Sequence, residues 1–412
     1  MSSPLITPSL TRDLAGGALD RLAIDDPDPQ WQAFLGHLRQ VRLQTDNEDN
    51  VLWTPEDAFT GQLQAYLAQT AKEKGTADGR ALDSRDVMFD DKDWTGWARS
   101  FFGWWRSLSP VPFKTHLALT VDPLPSTTQV AFFGDWGSGR YGAPVIARTI
   151  EKMAAPLGSI IHLGDTYYAG TPEELEANVL KVWPTRKDAR SYLLNGNHER
   201  YGGDIGYFAA LEQLNQPFSY FAQGNEHFTI VCLDSAYDDC SLAGLQVDWL
   251  HKIIAHSAGK KIILMTHHQP YSAFEGDGGG MVELLRPILE AKQIHAWYWG
   301  HEHRCVLYDR HPAWGLMGRC VGHGGYPYFQ VTADPGWKTT SGLNGSRWYE
   351  FGAHRGAPGG RILGDDNPYV ESPKKIKYGA HGFVVLELDG PRCIESYRRP
   401  DGEKVYEAEL PL

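Results

Sequence analysis

Two short stretches, Gly196-Asn197-His198-Glu199 and Gly300-His301-Glu302-His303, decide how this chain is read. Each sets imidazole, amide or carboxylate side chains in a tight glycine turn directly after an apolar run, residues 191–194 in one case and 295–299 in the other. Short apolar runs bounded by glycine predict buried strands. Both turns then stand at the carboxyl ends of strands in one sheet, the edge at which open α/β sheets gather ligands. Two metal ions bound side by side is the first reading of such a pair.

Working outward, three more turns follow the same plan: Gly134-Asp135-Trp136-Gly137, Gly164-Asp165-Thr166-Tyr167-Tyr168 and Thr266-His267-His268-Gln269-Pro270. A glycine ahead of the ligand allows a sharp turn and leaves room for an ion, and carboxylate, amide oxygen and imidazole suit hard and borderline cations. One such turn alone is ordinarily structural. Five in chain order, each behind a strand-like run, argue for a dimetal site. His267 and His268 are neighbours, and neighbouring strand-end side chains point to opposite sides, so one of the two is the ligand.

These motifs resemble the calcineurin-like metallophosphoesterases, and among them the purple acid phosphatase branch, over residues 130–305 and the closing strands. The superfamily's first motif usually reads Asp-x-His; here the third position is Gly137. Purple acid phosphatases share that loss and use a tyrosine three residues after the second-motif aspartate, where this chain has Tyr168. The resemblance implies a first metal held by Asp135, Tyr168 and His303, a second held by Asn197, His267 and His301, and Asp165 bridging them. Relatives reading His-His-x-Pro favour His267 over His268. A phenolate ligand favours Fe(III) at the first position, with Fe, Zn or Mn at the second. His198 is assigned to the phosphoryl oxygens or the leaving group as donor or general acid. Arg140, Arg200, Tyr201, His268 and His323 are candidate substrate contacts.

The implied fold is a four-layer α/β/β/α sandwich. Residues 126–412 form the catalytic domain, with 310–380 as a long loop insertion rich in Gly, Tyr, Trp and Pro. Residues 1–125 form a helical, tryptophan-rich extension, with helix-like spacing at 31–43 and 55–71 and tryptophans at 94–105. An aromatic face packed on the catalytic domain is favoured over a membrane-surface helix for that last segment, whose neighbours are acidic. The Asp122-Pro123-Leu124-Pro125 stretch marks the boundary, since two prolines continue neither a helix nor a central strand.

A formal charge of -12 and pI near 5.7 oppose a nucleic-acid partner, which needs a basic face. No apolar stretch reaches the roughly 20 residues of a membrane span, and the start lacks a signal-peptide pattern, so a cytoplasmic location is expected. Five cysteines without a C-x-x-C pair fit reduced thiols. Gly137-Ser138-Gly139-Arg140-Tyr141-Gly142 matches a dinucleotide-binding fingerprint, yet Asp135 and Trp136 intrude between strand and first glycine. The expected activity is hydrolysis of phosphate esters on small substrates by metal-bound hydroxide, as a purple acid phosphatase-like phosphomonoesterase. The alternatives are a phosphodiesterase or nucleotide hydrolase on the same site, and a non-catalytic binding or regulatory module.

Overall fold

The computed structural model describes Gln62 and residues 110–276, 278–370 and 377–411 of the chain. The expected helices and tryptophan-rich segment before residue 110 lie outside the described residues. The chain divides into two compact units, Met1–Pro110 with Tyr201–Gly203, and Val111–Arg200 with Asp204–Leu412. The fold below is that of the second unit. Its start precedes the proline boundary because residues 111–121 are fastened to it: Tyr237 donates its hydroxyl to Val111 O (2.8 Å), and Trp249 Nε1 donates to Ala118 O (2.9 Å).

Sixteen strands among the described residues build two sheets. They are β1 (Asp122–Pro123), β2 (Thr127–Phe133), β3 (Leu157–His162), β4 (Arg190–Leu193), β5 (Phe221–Gly224), β6 (Phe228–Cys232), β7 (Lys261–Thr266), β8 (Ala296–Trp299), β9 (Cys305–Arg310), β10 (Met317–Val321), β11 (Lys338–Ser341), β12 (Arg347–Phe351), β13 (Gly360–Leu363), β14 (Phe383–Asp389), β15 (Arg392–Arg398) and β16 (Lys404–Glu409). The six-stranded sheet runs β16-β15-β14-β2-β3-β4, with β2, β3 and β4 parallel. The ten-stranded sheet runs β1-β5-β6-β7-β8-β10-β9-β13-β12-β11, with β6, β7, β8 and β10 parallel.

The parallel strands are buried on both faces, so β2 shows no polar alternation: residues 128–133 are all buried. The period of two survives in what each side chain meets. Val130 and Phe132 face the ten-stranded sheet, in one core with Ile230, Ile263 and Met265. Ala131 and Phe133 face outward onto α1 (Ala143–Glu151), whose Ala143, Ile146, Ala147 and Ile150 recur at helical spacing. Across the ten-stranded sheet, Val231, Leu264 and Trp297 pack on α4 (Gln246–His256) and α5 (Gly279–Glu290) through Trp249, Leu250, Leu285 and Ile288. Helices, sheet, sheet and helices make the four layers. Between α1 and α4 lie α2 (Asn197–Tyr201) and α3 (Ile205–Gln213). No helix among the described residues is long and apolar enough to cross a membrane.

The stretch 310–380 departs from the loop expectation, for it contains β10 to β13 and extends the large sheet. Its strands are only four or five residues long, with apolar and charged residues intermixed, as in Arg347-Trp348-Tyr349-Glu350-Phe351, so no period is legible. One feature of the core is polar. Arg319 of β10 binds Glu395 of β15 through Nη2 (2.8 Å) and Nε (3.0 Å), and the Tyr298 and Tyr397 hydroxyls donate to the same carboxylate. Both charges are almost fully buried, so this pair bolts one sheet to the other.

Candidate metal centre

The chemistry-bearing turns leave their strands at one edge of the sandwich. Asp135 follows β2, Asp165 follows β3, and Asn197 opens α2 shortly after β4. His267 follows β7, and His301 and His303 follow β8. Asp135, Asp165 and His301 hold left-handed backbone (φ 55°, 77° and 64°), an uncommon state for residues with a Cβ and one concentrated at functional sites. The preceding glycines serve the neighbouring ligands. A Cβ on Gly196 would lie 2.3 Å from Asp165 Oδ1, and one on Gly300 would lie 2.8 Å from Asp135 Oδ2.

Two groups of donor atoms result. In the first, the Tyr167 hydroxyl lies 3.0 Å from Asp135 Oδ1, 3.3 Å from Asp165 Oδ2 and 2.8 Å from His303 Nε2, and His303 Nε2 is 3.2 Å from Asp135 Oδ1. In the second, Asn197 Oδ1 lies 2.9 Å from both His267 Nε2 and His301 Nδ1, and His267 Nε2 is 3.3 Å from Asp165 Oδ1. Asp165 thus gives one carboxylate oxygen to each group.

These distances fit cations better than hydrogen bonds. One phenol proton cannot satisfy both carboxylates at once. His267 Nδ1–H donates to Leu163 O (2.9 Å), which leaves a lone pair on Nε2 facing the Asn197 carbonyl oxygen, and two acceptors at that separation repel unless a positive centre lies between them. Asp135 Oδ2 is buried with no partner among the described residues. Burial, then the Asp165 charge, push the Asp135 carboxyl well above its ordinary range, a penalty that a bound cation would lift. Burial also pushes the His267 and His303 imidazoles down, His267 to about 4, so they stand neutral and able to ligate. Carboxylate, phenol, amide oxygen and imidazole form an O/N donor set for hard or borderline ions.

The tyrosine at the centre differs from the expectation. The structure brings Tyr167, not Tyr168, among the carboxylates. Gly137 is the reason. Its N–H donates to Asp165 O (3.2 Å), its carbonyl accepts from Tyr167 N–H (3.0 Å), and a Cβ there would lie 2.5 Å from Asp165 O. The missing side chain lets the second turn dock on the first, and the Tyr167 phenol comes to rest beside Asp135. Tyr168 is half-buried and contributes its backbone: His198 Nδ1–H donates to Tyr168 O (2.6 Å). This places His198 Nε2 3.7 Å from Asp165 Oδ2, next to both donor groups.

The other candidates differ in their surroundings. His267 takes the inward position. His268 bonds Ser235 Oγ (3.1 Å), with its ring 4.6 Å from that of His301, so a ring nitrogen remains within reach of the second group. Arg200 pairs with Asp204 (2.6 Å) and lies over the Tyr237 ring, while Tyr201 closes α2. Arg140 is exposed at the rim, and its charge acts on Tyr168. His323 is buried, with neither ring nitrogen partnered among the described residues.

Sequence reasoning assigned no role to the glutamates inside the two opening motifs. Glu199 Oε2 accepts from Gly196 N–H (3.0 Å) and Asp165 N–H (3.1 Å), which ties the third turn to the second. Burial and the Asp165 charge push its pKa up to about 8. Glu302 accepts from Ser272 Oγ (2.5 Å) and Trp299 Nε1 (3.1 Å) and holds the last turn. Their signal was present: each is a charged residue in a turn otherwise composed of glycine, candidate ligands and His198.

Comparison with known proteins agrees with the geometry. Residues 128–305 match the calcineurin-like phosphoesterase family. The chain is 27% identical to tartrate-resistant acid phosphatase type 5 of Rattus norvegicus, over 43% of this chain and 67% of that protein. Among solved structures it is similar to a purple acid phosphatase from yellow lupin (Lupinus luteus) seeds, at 16% identity and a TM-score of 0.48, covering 70% of this chain and 55% of that one. The chain therefore spans little more than half of the lupin protein. It is also similar to GAP50, the anchor in the inner membrane complex of Plasmodium, at 14% identity and a TM-score of 0.47, covering 69% and 88%. Residues 128–305 thus match the calcineurin-like phosphoesterases, and the chain's similarity is directed to the purple acid phosphatases among them.

Proposed function

We propose that the chain is a dimetal phosphomonoesterase acting on small phosphorylated substrates. The observation that carries this reading is the division of the Asp165 carboxylate, Oδ2 toward Asp135, Tyr167 and His303 and Oδ1 toward Asn197 and His267. Asp135, Tyr167 and His303 would hold one cation, Asn197, His267 and His301 the other, and Asp165 both. When bound, the two cations would supply Lewis acidity at the phosphoryl oxygens and acidify a water molecule. The phenol at the first position favours Fe(III) there.

The protein's own groups do the rest. Leu163 O and Tyr168 O fix the rings of His267 and His198 by accepting their Nδ1–H protons. For His198 this leaves Nε2 as the atom that meets the substrate. Protonated there, it can donate to a phosphoryl oxygen or to the departing alkoxide. The exposed guanidinium of Arg140 at the rim suits a phosphate oxygen. The acidic balance of the chain disfavours a polynucleotide substrate.

The test compares hydrolysis of a nitrophenyl phosphate monoester with that of the bis-nitrophenyl diester, on protein loaded with iron plus zinc or with manganese. Faster turnover of the monoester supports the proposal. Preference for the diester overturns it in favour of a phosphodiesterase on the same site. Metal binding without turnover of either leaves the fold as a binding module.

A further inference from the structure

A second polar arrangement sits directly behind the metal centre. Residues 172–182 form a short helical segment capped by Thr171, and Glu174 and Asn178 stand four apart on it, on one face. Asn178 Nδ2 donates to Tyr167 O (2.9 Å). Glu174 Oε1 accepts from Tyr168 N–H (2.5 Å), and its Oε2 accepts from Ala169 N–H (2.9 Å) and Thr171 N–H (3.2 Å). The peptide group joining Tyr167 to Tyr168 is therefore held at both ends, carbonyl by Asn178 and amide by Glu174.

Helix capping explains only part of this. A capping box needs the Glu174 carboxylate to meet the Thr171 amide, while Thr171 Oγ1 accepts from Glu174 N–H. The bonds to Tyr168 and Ala169 lie upstream of the cap and stabilise no helix. They hold instead the loop that presents two working groups: the Tyr167 hydroxyl, set among Asp135, Asp165 and His303, and the Tyr168 carbonyl, which accepts from His198 Nδ1. The loop has little slack beyond, since a Cβ on Gly170 would lie 2.4 Å from Glu199 Cα.

We infer that Glu174 and Asn178 are positioning residues for the phosphoesterase reaction, gripping one peptide group so that the Tyr167 phenol and the His198 ring are aimed together. This rests on the function proposed above and adds to it the residues that orient its phenol and its histidine. Removing a partner that orients a metal ligand ordinarily costs roughly 10- to 100-fold in metal affinity or activity.

The experiment uses the full chain and the variants Glu174→Ala, Glu174→Gln, Asn178→Ala and Val179→Ala. Val179 is buried on the same segment and has no polar group, so its truncation loosens the segment without touching the grip. Three quantities are read: the dissociation constant for Mn(II), the position of the visible band of iron-loaded protein, and kcat against KM for nitrophenyl phosphate. Glu174→Ala and Asn178→Ala are expected to weaken Mn(II) binding or lower kcat by at least 10-fold at little-changed KM, and to shift any band. Glu174→Gln, which keeps one acceptor oxygen, should recover part of the loss. Val179→Ala should lower only the thermal midpoint. If all four variants lose thermal stability alone, the two polar residues are structural and the inference falls. If Mn(II) affinity drops in the grip variants while the wild type hydrolyses neither nitrophenyl substrate, the positioning role stands and the phosphomonoesterase reading falls.

Discussion

The two sheets bring different chemistry to their shared edge. The six-stranded sheet supplies the oxygen donors, Asp135, Asp165, Tyr167 and Asn197, from turns after β2, β3 and β4. The ten-stranded sheet supplies the imidazoles, His267, His301 and His303, from turns after β7 and β8. Neither donor group is built from one sheet: the first combines His303 with Asp135, Asp165 and Tyr167, and the second combines His267 and His301 with Asn197 and Asp165. The site is thus a property of sheet packing. The apolar core between the sheets and the Arg319–Glu395 pair hold its halves in register.

Removing the one residue that serves both groups tests this division most severely. Asp165→Asn should release metal from both positions and lower kcat about 1,000-fold or more, near 4 kcal/mol of transition-state stabilisation. Full metal content with full activity in that variant would mean the bridge is not needed. The polar bolt comes next. Arg319→Met leaves Glu395 buried and unpaired, and should destabilise the fold by about 3–5 kcal/mol in urea or thermal unfolding. The double change Arg319→Met with Glu395→Leu should regain much of that loss. An undiminished midpoint in the single variant would show that the sheets register through apolar contacts alone.

Metal removal probes the same junction from the other side. Ions held jointly by the two sheets would bind the folded state only, so at 100 times its dissociation constant each should add about 2.7 kcal/mol. Chelation should accordingly lower the calorimetric midpoint by several degrees, reversibly on adding metal back. The finest distinction lies within one turn. Tyr167→Phe should abolish the phenolate band of iron-loaded protein and cost activity about 10-fold, roughly 1.4 kcal/mol, whereas Tyr168→Phe should leave the band in place. The opposite pattern would return the ligand role to Tyr168.

Much of this arrangement was legible beforehand, for a stated reason. The glycine turns and their ligands are local: a strand, a sharp bend and a side chain lie within six residues of one another, as in the run from Val130 to Asp135. The closing strands were equally plain, since Gly390 and Gly402 occupy left-handed turns (φ 55° and 95°) between runs of apolar residues. Where neighbours compete, local pattern fails. Spacing pointed to Tyr168, but which of two adjacent tyrosines turns inward depends on Gly137, about thirty residues away in sequence, and on Glu174 and Asn178. Strands β10 to β13 were missed because short strands that insert into a large sheet, as β10 does between β8 and β9, or extend its end, as β11 to β13 do, are selected by their neighbours, not by their own period.

By itself, the sequence determined the layered α/β class, the order of the candidate ligand turns and their O/N donor character, because each depends on residues close together in the chain. Only the tertiary structure decided which phenol enters, how the Asp165 oxygens are divided, and that oxygen donors and imidazoles arrive from opposite sheets. Those outcomes depend on contacts between segments far apart in sequence, and their geometry is set by packing at close range, where the absence of one Cβ, at Gly137, redirects a side chain.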